Sequence, residues 1–204
     1  MGPDDIARVI THLQDAMSVL EAHRMPRGIV TPPPMIRPPY EEIGWDLSLD
    51  THPLAWNQVG YLVLHHDGGP WHVNKSAMQI HRAHRLREPP FGGIGYHGWI
   101  EWTGLIAVGR PLEMRGAHVG PAYNSRSWGC GLAGNYTIAS EVPGEAWASA
   151  VHLFAWWKYL QPGARIVGHK ELPGLSSACP GSNLDMEMFR HDVGVFLDDV
   201  LEGR

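Results

Sequence analysis

His169 and Cys179 stand ten residues apart, and Pro173, Gly174 and Pro180 make the segment between and just beyond them a loop. A loop that turns back on itself can bring an imidazole and a thiolate to one ion. Zinc accepts nitrogen and sulfur ligands tetrahedrally, and a catalytic site keeps one position for water. A third ligand is then needed. His65 is a natural source, because it closes the short apolar strand Tyr61-Leu62-Val63-Leu64. The same pair supports a second chemistry, with Cys179 as nucleophile and His169 as its base, and spacing does not separate the two. Each residue also has a bland counterpart, a packed histidine at a strand end and an inert buried thiol. Gly93-Ile94-Gly95-Tyr96-His97-Gly98 fits G-x-G-x-x-G in form. It is not a dinucleotide site, since that motif needs a strand before it and a helix after it, and here the order is reversed.

The elements that must position these residues are α/β in pattern. After the strand at 61–64, Asn74 to Arg87 reads as a helix stopped by Pro89-Pro90. Gly95 to Trp102 and Leu105 to Val108 read as a hairpin turning at Thr103-Gly104, and Ser127 to Leu132 as a further strand. Glu145 to Leu160 is a helix, Ala164 to Gly168 a short strand ending at His169, and Leu184 to Leu201 a final helix. Ahead of this domain, residues 4–24 carry Ile6, Val9, Ile10, Leu13, Met17 and Leu20 on one helical face. Residues 25–42 contain six prolines and read as an extended linker. The expected organisation is an N-terminal amphipathic helix over 1–24, a Pro-rich linker and lead-in over 25–57, and one domain over 58–204.

With 204 residues, 44% of them apolar and 18% charged, the chain can bury a core. No apolar run approaches the ~18–20 residues of a membrane span. The acidic N-terminus leads into no signal-peptide core. Two cysteines cannot build a disulfide framework. The net charge of −5 carries no basic footprint for nucleic acid.

Five segments appear in order: His65-His66-Asp67, Gly93-Ile94-Gly95-Tyr96-His97, Gly116-Ala117-His118, Tyr123-Asn124, and Gly168-His169-Lys170-Glu171 with Ala178-Cys179-Pro180-Gly181. Together they resemble the zinc-dependent N-acetylmuramoyl-L-alanine amidases, a family that includes phage endolysins and the peptidoglycan recognition proteins. The resemblance covers residues 58–190. It implies a mixed, twisted β-sheet flanked by helices, with one zinc ion in a surface groove. It implies hydrolysis of the amide between the lactyl group of N-acetylmuramic acid and the L-alanine of the stem peptide. Its zinc ligands fall on His65, His169 and Cys179. Its catalytic tyrosine falls on Tyr96, and its groove positions on His118, Asn124 and Ser177. His66 alternates to the other side of the strand and is expected to support rather than ligate.

Two departures stand out. Many active members have a lysine two residues before the cysteine ligand, where this chain has Ser177. Others use a glutamate in the strand matching 128–133, where this chain has Gly131. A hydroxyl donates without charge, and charge-assisted bonds are about twice as strong. The expected function is therefore zinc-dependent cleavage of peptidoglycan or muropeptides, and the alternative is a non-catalytic peptidoglycan-binding module of the same fold. Without a signal peptide, the expected location is the cytoplasm, either as a lysin awaiting release to the wall or as a recycling enzyme. The N-terminal helix is a candidate arm for docking or dimerisation.

Overall fold

The computed structural model describes residues 37–46, 49, 52–70 and 72–203. The expected helix over 4–24 and most of the proline-rich stretch lie outside the described residues. Six strands form one mixed sheet: β1 (Glu41–Glu42), β2 (Tyr61–His66), β3 (Gly98–Ile100), β4 (Ile106–Val108), β5 (Ser127–Leu132) and β6 (Arg165–Gly168). Their order is β1-β4-β3-β5-β2-β6. Only β3 and β4 run antiparallel, joined by the expected hairpin. The turn uses Gly104 at φ +79°, a left-handed conformation that suits glycine. The strand expected over 95–102 is ladder-paired only at Gly98–Ile100; the Gly95 amide donates to the His84 side chain, whereas the His97 amide still reaches the Gly129 carbonyl of β5.

Helix α1 (Ala77–Arg85) starts at Ser76, which forms a reciprocal capping box with Gln79. A one-turn α2 (Pro121–Asn124) leads into β5. Helix α3 (Gly144–Leu160) and helix α4 (Met186–Glu202) pack on each other through Phe154–Phe189 and Trp147–Phe189 ring contacts. Asp185 caps α4 by accepting from the Glu187 and Met188 amides. No helix among the described residues is long and apolar enough to cross a membrane.

The period of two along the strands sorts side chains between the faces. Trp128, Cys130 and Leu132 of β5 are completely buried, with Trp128 against Trp157 of α3. Cys130 is thus core packing, as its place in a strand suggests. The opposite face of β5 carries only Ser127, Gly129 and Gly131, and β2 sets Val63 and His65 beside them. The lead-in also contributes to the sheet. Glu41 and Glu42 pair parallel to β4, and Tyr40 stacks on Trp156 of α3 at 6.1 Å. Proline-rich segments are tolerated at such an edge because no central ladder needs their missing N–H.

Two further histidines, the buried His97 just before β3 and the half-buried His84 on α1, brace this arrangement. His97 Nδ1 accepts from the Gly129 amide at 3.1 Å, and its Nε2 donates to the Met114 carbonyl at 2.9 Å. Burial lowers its pKa to about 3. His84 Nδ1 accepts from the Gly95 amide, and burial, then the Arg87 charge, lowers its pKa to about 4. Both must stay neutral when folded and both take up a proton near 6.5 when unfolded. Their contribution is therefore complete above about pH 6.5 and is lost as the pH falls toward 3. Thermal midpoints measured from pH 7 down to pH 3 should decline steadily below 6.5. A flat profile to pH 4 would contradict this account.

Candidate metal centre

His65 reaches the site from the end of β2, where it is opposite Gly131 of β5. His169 opens a short 3-10 turn after β6 (His169–Glu171). Cys179 returns to the same place because the Lys170 amide donates to the Cys179 carbonyl at 2.7 Å and closes the intervening loop. Gly181 secures the far end of that loop. It has φ +110°, and a Cβ there would lie 2.2 Å from the Tyr136 backbone. The Lys170 ammonium donates to the Gly181 carbonyl, and Glu171 pairs with Arg190 and accepts from the Gly168 amide. The side chains of the two residues that follow His169 are therefore taken up in holding the loop.

One ligand atom from each of His65, His169 and Cys179 lies within 4.8 Å of the others. His65 Nδ1 and Cys179 Sγ are 3.6 Å apart. Tetrahedral zinc with nitrogen and sulfur ligands at ~2.0–2.3 Å needs its ligand atoms roughly 3.3–3.7 Å apart. The donor set and spacing thus fit zinc after a small inward movement of the widest pair. Burial holds His65 and His169 below the usual histidine range, which keeps their lone pairs available. Burial also pushes the Cys179 thiol up to about 11, although the His66 amide bonded to Sγ at 3.3 Å and the Lys170 charge oppose that shift. A cysteine nucleophile needs the opposite shift. The sulfur hydrogen-bonds to His65 and the His66 amide, and a thiol held in its protonated form is a poor nucleophile, which weighs against the cysteine–histidine hydrolase chemistry.

His66 points away from the trio, and its Nδ1 accepts from the Tyr136 amide. Tyr96 lies beside the trio, its ring centroid 5.3 Å from that of His65. Burial raises its phenol pKa far above 10, so it remains a proton donor throughout the neutral range. Ser177 Oγ accepts from the Cys179 amide at 3.2 Å. Asn124 Oδ1 accepts from both the His118 and Val119 amides and so holds the loop that carries His118. The His118 ring hydrogen-bonds to His65, with Nδ1 2.9 Å from His65 Nε2.

Ser127 escaped notice in the sequence, although its hydroxyl lies 3.5 Å from His118 Nε2. Alternate glycines at 129 and 131 were the available signal, since glycine inside a strand often marks a close approach. A Cβ at Gly129 would lie 2.3 Å from the His118 ring, and one at Gly131 would lie 2.5 Å from the Trp99 ring. The Trp99 indole is held there by donating to the Lys75 carbonyl. A glutamate at 131 therefore has no room. Gly131→Glu should lower the thermal midpoint by roughly 3–10 °C, from ~1–3 kcal/mol of overpacking. A variant as stable as the parent would show that Trp99 swings aside freely.

A family model described as N-acetylmuramoyl-L-alanine amidase matches residues 55–182. Peptidoglycan recognition protein 1 of Bos indicus is 31% identical over 134 residues, which cover 62% of this chain and 68% of that protein. An N-acetylmuramoyl-L-alanine amidase of Sus scrofa is 31% identical over 137 residues, 62% of this chain but only 22% of the longer relative. Among solved structures, the N-acetylmuramoyl-L-alanine amidase LysC from Clostridium intestinale URNW superposes with a TM-score of 0.64 at 26% identity, covering 78% of this chain and 99% of that one.

Proposed function

We propose that this chain, which belongs to the N-acetylmuramoyl-L-alanine amidase family, is itself a zinc-dependent amidase that cuts peptidoglycan or its soluble muropeptides. The bond is the amide joining the lactyl group of N-acetylmuramic acid to the L-alanine of the stem peptide. The observation that carries this reading is the convergence of His65, His169 and Cys179 with Tyr96 packed beside them. These three residues would hold the ion through His65 Nδ1, a His169 ring nitrogen and Cys179 Sγ. Zinc supplies Lewis acidity there, activating water at neutral pH and polarising the amide carbonyl.

The chain's own groups do the rest. Tyr96 keeps its phenolic proton and donates a hydrogen bond toward the oxygen that gains charge as the amide is attacked. The enclosure that desolvates Tyr96 strengthens that bond by lowering the local dielectric. Ser177, held beside Cys179, offers a neutral hydroxyl at the edge of the same site. The His66 amide steadies the cysteine sulfur by donating to it.

A second reading, a recognition module that binds muropeptides without cutting them, has one specific observation in its favour. Neither place where related amidases carry a charged helper holds one here, Ser177 being neutral and Gly131 closed off by Trp99. Mass spectrometry of purified peptidoglycan and of soluble muropeptides, after incubation with zinc-loaded protein and with a chelator-treated control, separates the two readings. Release of stem peptides with an L-alanine N-terminus only in the zinc-loaded sample is the result expected of the amidase. Binding without release, by folded protein shown to contain zinc, would replace it with the recognition module.

A further inference from the structure

We propose that Ser127 and His118 are positioning residues that fix, from a backbone carbonyl outward, which nitrogen of His65 presents its lone pair to the metal. The inference rests on the reading that His65, His169 and Cys179 hold zinc. It concerns residues that do not themselves touch the ion.

The direction of each hydrogen bond follows from its neighbour. Ser127 Oγ lies 2.8 Å from the Tyr123 carbonyl. A carbonyl only accepts, so the hydroxyl proton points there. The lone pairs of Oγ are then left toward His118 Nε2 at 3.5 Å. An imidazole nitrogen facing lone pairs must carry the hydrogen, so His118 is protonated on Nε2. Its Nδ1 then has only a lone pair to offer His65 Nε2 at 2.9 Å, so His65 must donate from Nε2. The remaining nitrogen of His65, Nδ1, is left unprotonated and faces Cys179 Sγ at 3.6 Å. One buried hydroxyl thereby selects the tautomer of a ligand two rings away.

The packing leaves the His118 ring little freedom to turn out of this chain. A Cβ at Gly116 would lie 2.4 Å from the ring on one side, and one at Gly129 2.3 Å from it on another. The ring's backbone is tied down by Asn124 Oδ1. The Gly129 amide, which might have competed for a ring nitrogen, is already given to His97 Nδ1. Ser127 is completely buried at the start of β5, so water does not replace its hydroxyl.

Ligating histidines owe their orientation and basicity to the partner of their second nitrogen, and losing that partner typically costs 10–100-fold in metal affinity. The test reads the tautomers directly. Long-range 1H–15N correlation spectra of metal-free protein labelled in histidine should show His65 and His118 both protonated on Nε2. The His118 signals are assigned from the His118→Asn variant, and those of His65 from a His65→Asn variant, because added zinc would shift His65 and His169 alike. Ser127→Ala should leave His65 as a mixture of tautomers and weaken zinc binding 10–100-fold in competition with a chromogenic chelator, with unfolding curves confirming the fold. His65 protonated on Nδ1 in the parent would overturn the proposal without any variant. A folded Ser127→Ala protein that binds zinc as tightly as the parent would overturn it as well. A parent that binds no zinc would instead overturn the amidase reading, while the tautomers would still judge the network.

Discussion

Cys179→Ser is expected to abolish peptidoglycan cleavage, with a fall in kcat/KM of at least ~10³-fold, beyond the ~10–100-fold that follows loss of a group merely touching a ligand. Serine is the informative replacement. Its oxygen can still accept from the His66 amide, so the end of β2 keeps its partner and the fold survives. The backbone bond from Lys170 to residue 179 is also untouched. What disappears is the ligand itself, because a serine hydroxyl is not ionised at neutral pH and binds zinc far more weakly than a thiolate does. Metal content after dialysis should drop from one zinc per chain toward none, alongside the loss of stem-peptide release. Cleavage within tenfold of the parent by a zinc-free variant would remove the metal from the mechanism.

Tyr96→Phe should lower kcat by ~10²–10³-fold, the usual cost of removing one donor to a developing oxyanion. Zinc content and KM should change little. Phenylalanine keeps the ring that packs at 5.3 Å on His65 and 5.5 Å on Trp99, so the variant isolates the hydroxyl. A pH profile adds a second readout. Burial holds the phenol protonated well beyond pH 10, so no limb of the parent's profile near neutrality should belong to Tyr96. A loss of less than fivefold would assign the oxyanion contact elsewhere, with Ser177 the next candidate.

Several parts of the molecule were legible in the order of residues because local rules govern them. Ser127–Leu132 forms a strand with the expected bounds, and the helix expected over 145–160 begins one residue earlier, at Gly144. Large residues at every second position mark the strand, and Pro143-Gly144 and Pro162-Gly163 punctuate the ends of the helix. The loop from His169 to Cys179 was readable from Pro173 and Gly174, and its closure by a single backbone bond is what such a loop does. The edge strand at Glu41–Glu42 was not readable, since two acidic residues after a proline run carry no strand period. Its pairing depends on where β4 happens to run.

The site divides in the same way. Sequence alone supplied the donor types and placed His65 at a strand end and His169 and Cys179 on one loop, because covalent connection and strand period act over a few residues. It also exposed Ser177 and Gly131 as departures from the family pattern. Only the tertiary structure decided what those departures mean and how the donors are aimed. Parallel pairing of β2 with β5 sets His65 opposite Gly131, and pairing of β3 with β5 lays Trp99 over that glycine. His118 reaches His65 across 53 residues of chain, through space that Gly116 and Gly129 leave open. Such contacts depend on which rings fill which gaps between strands distant in sequence. The contact of Ser127 with the Tyr123 carbonyl belongs to that packing, and so does the His65 nitrogen that faces Cys179 Sγ.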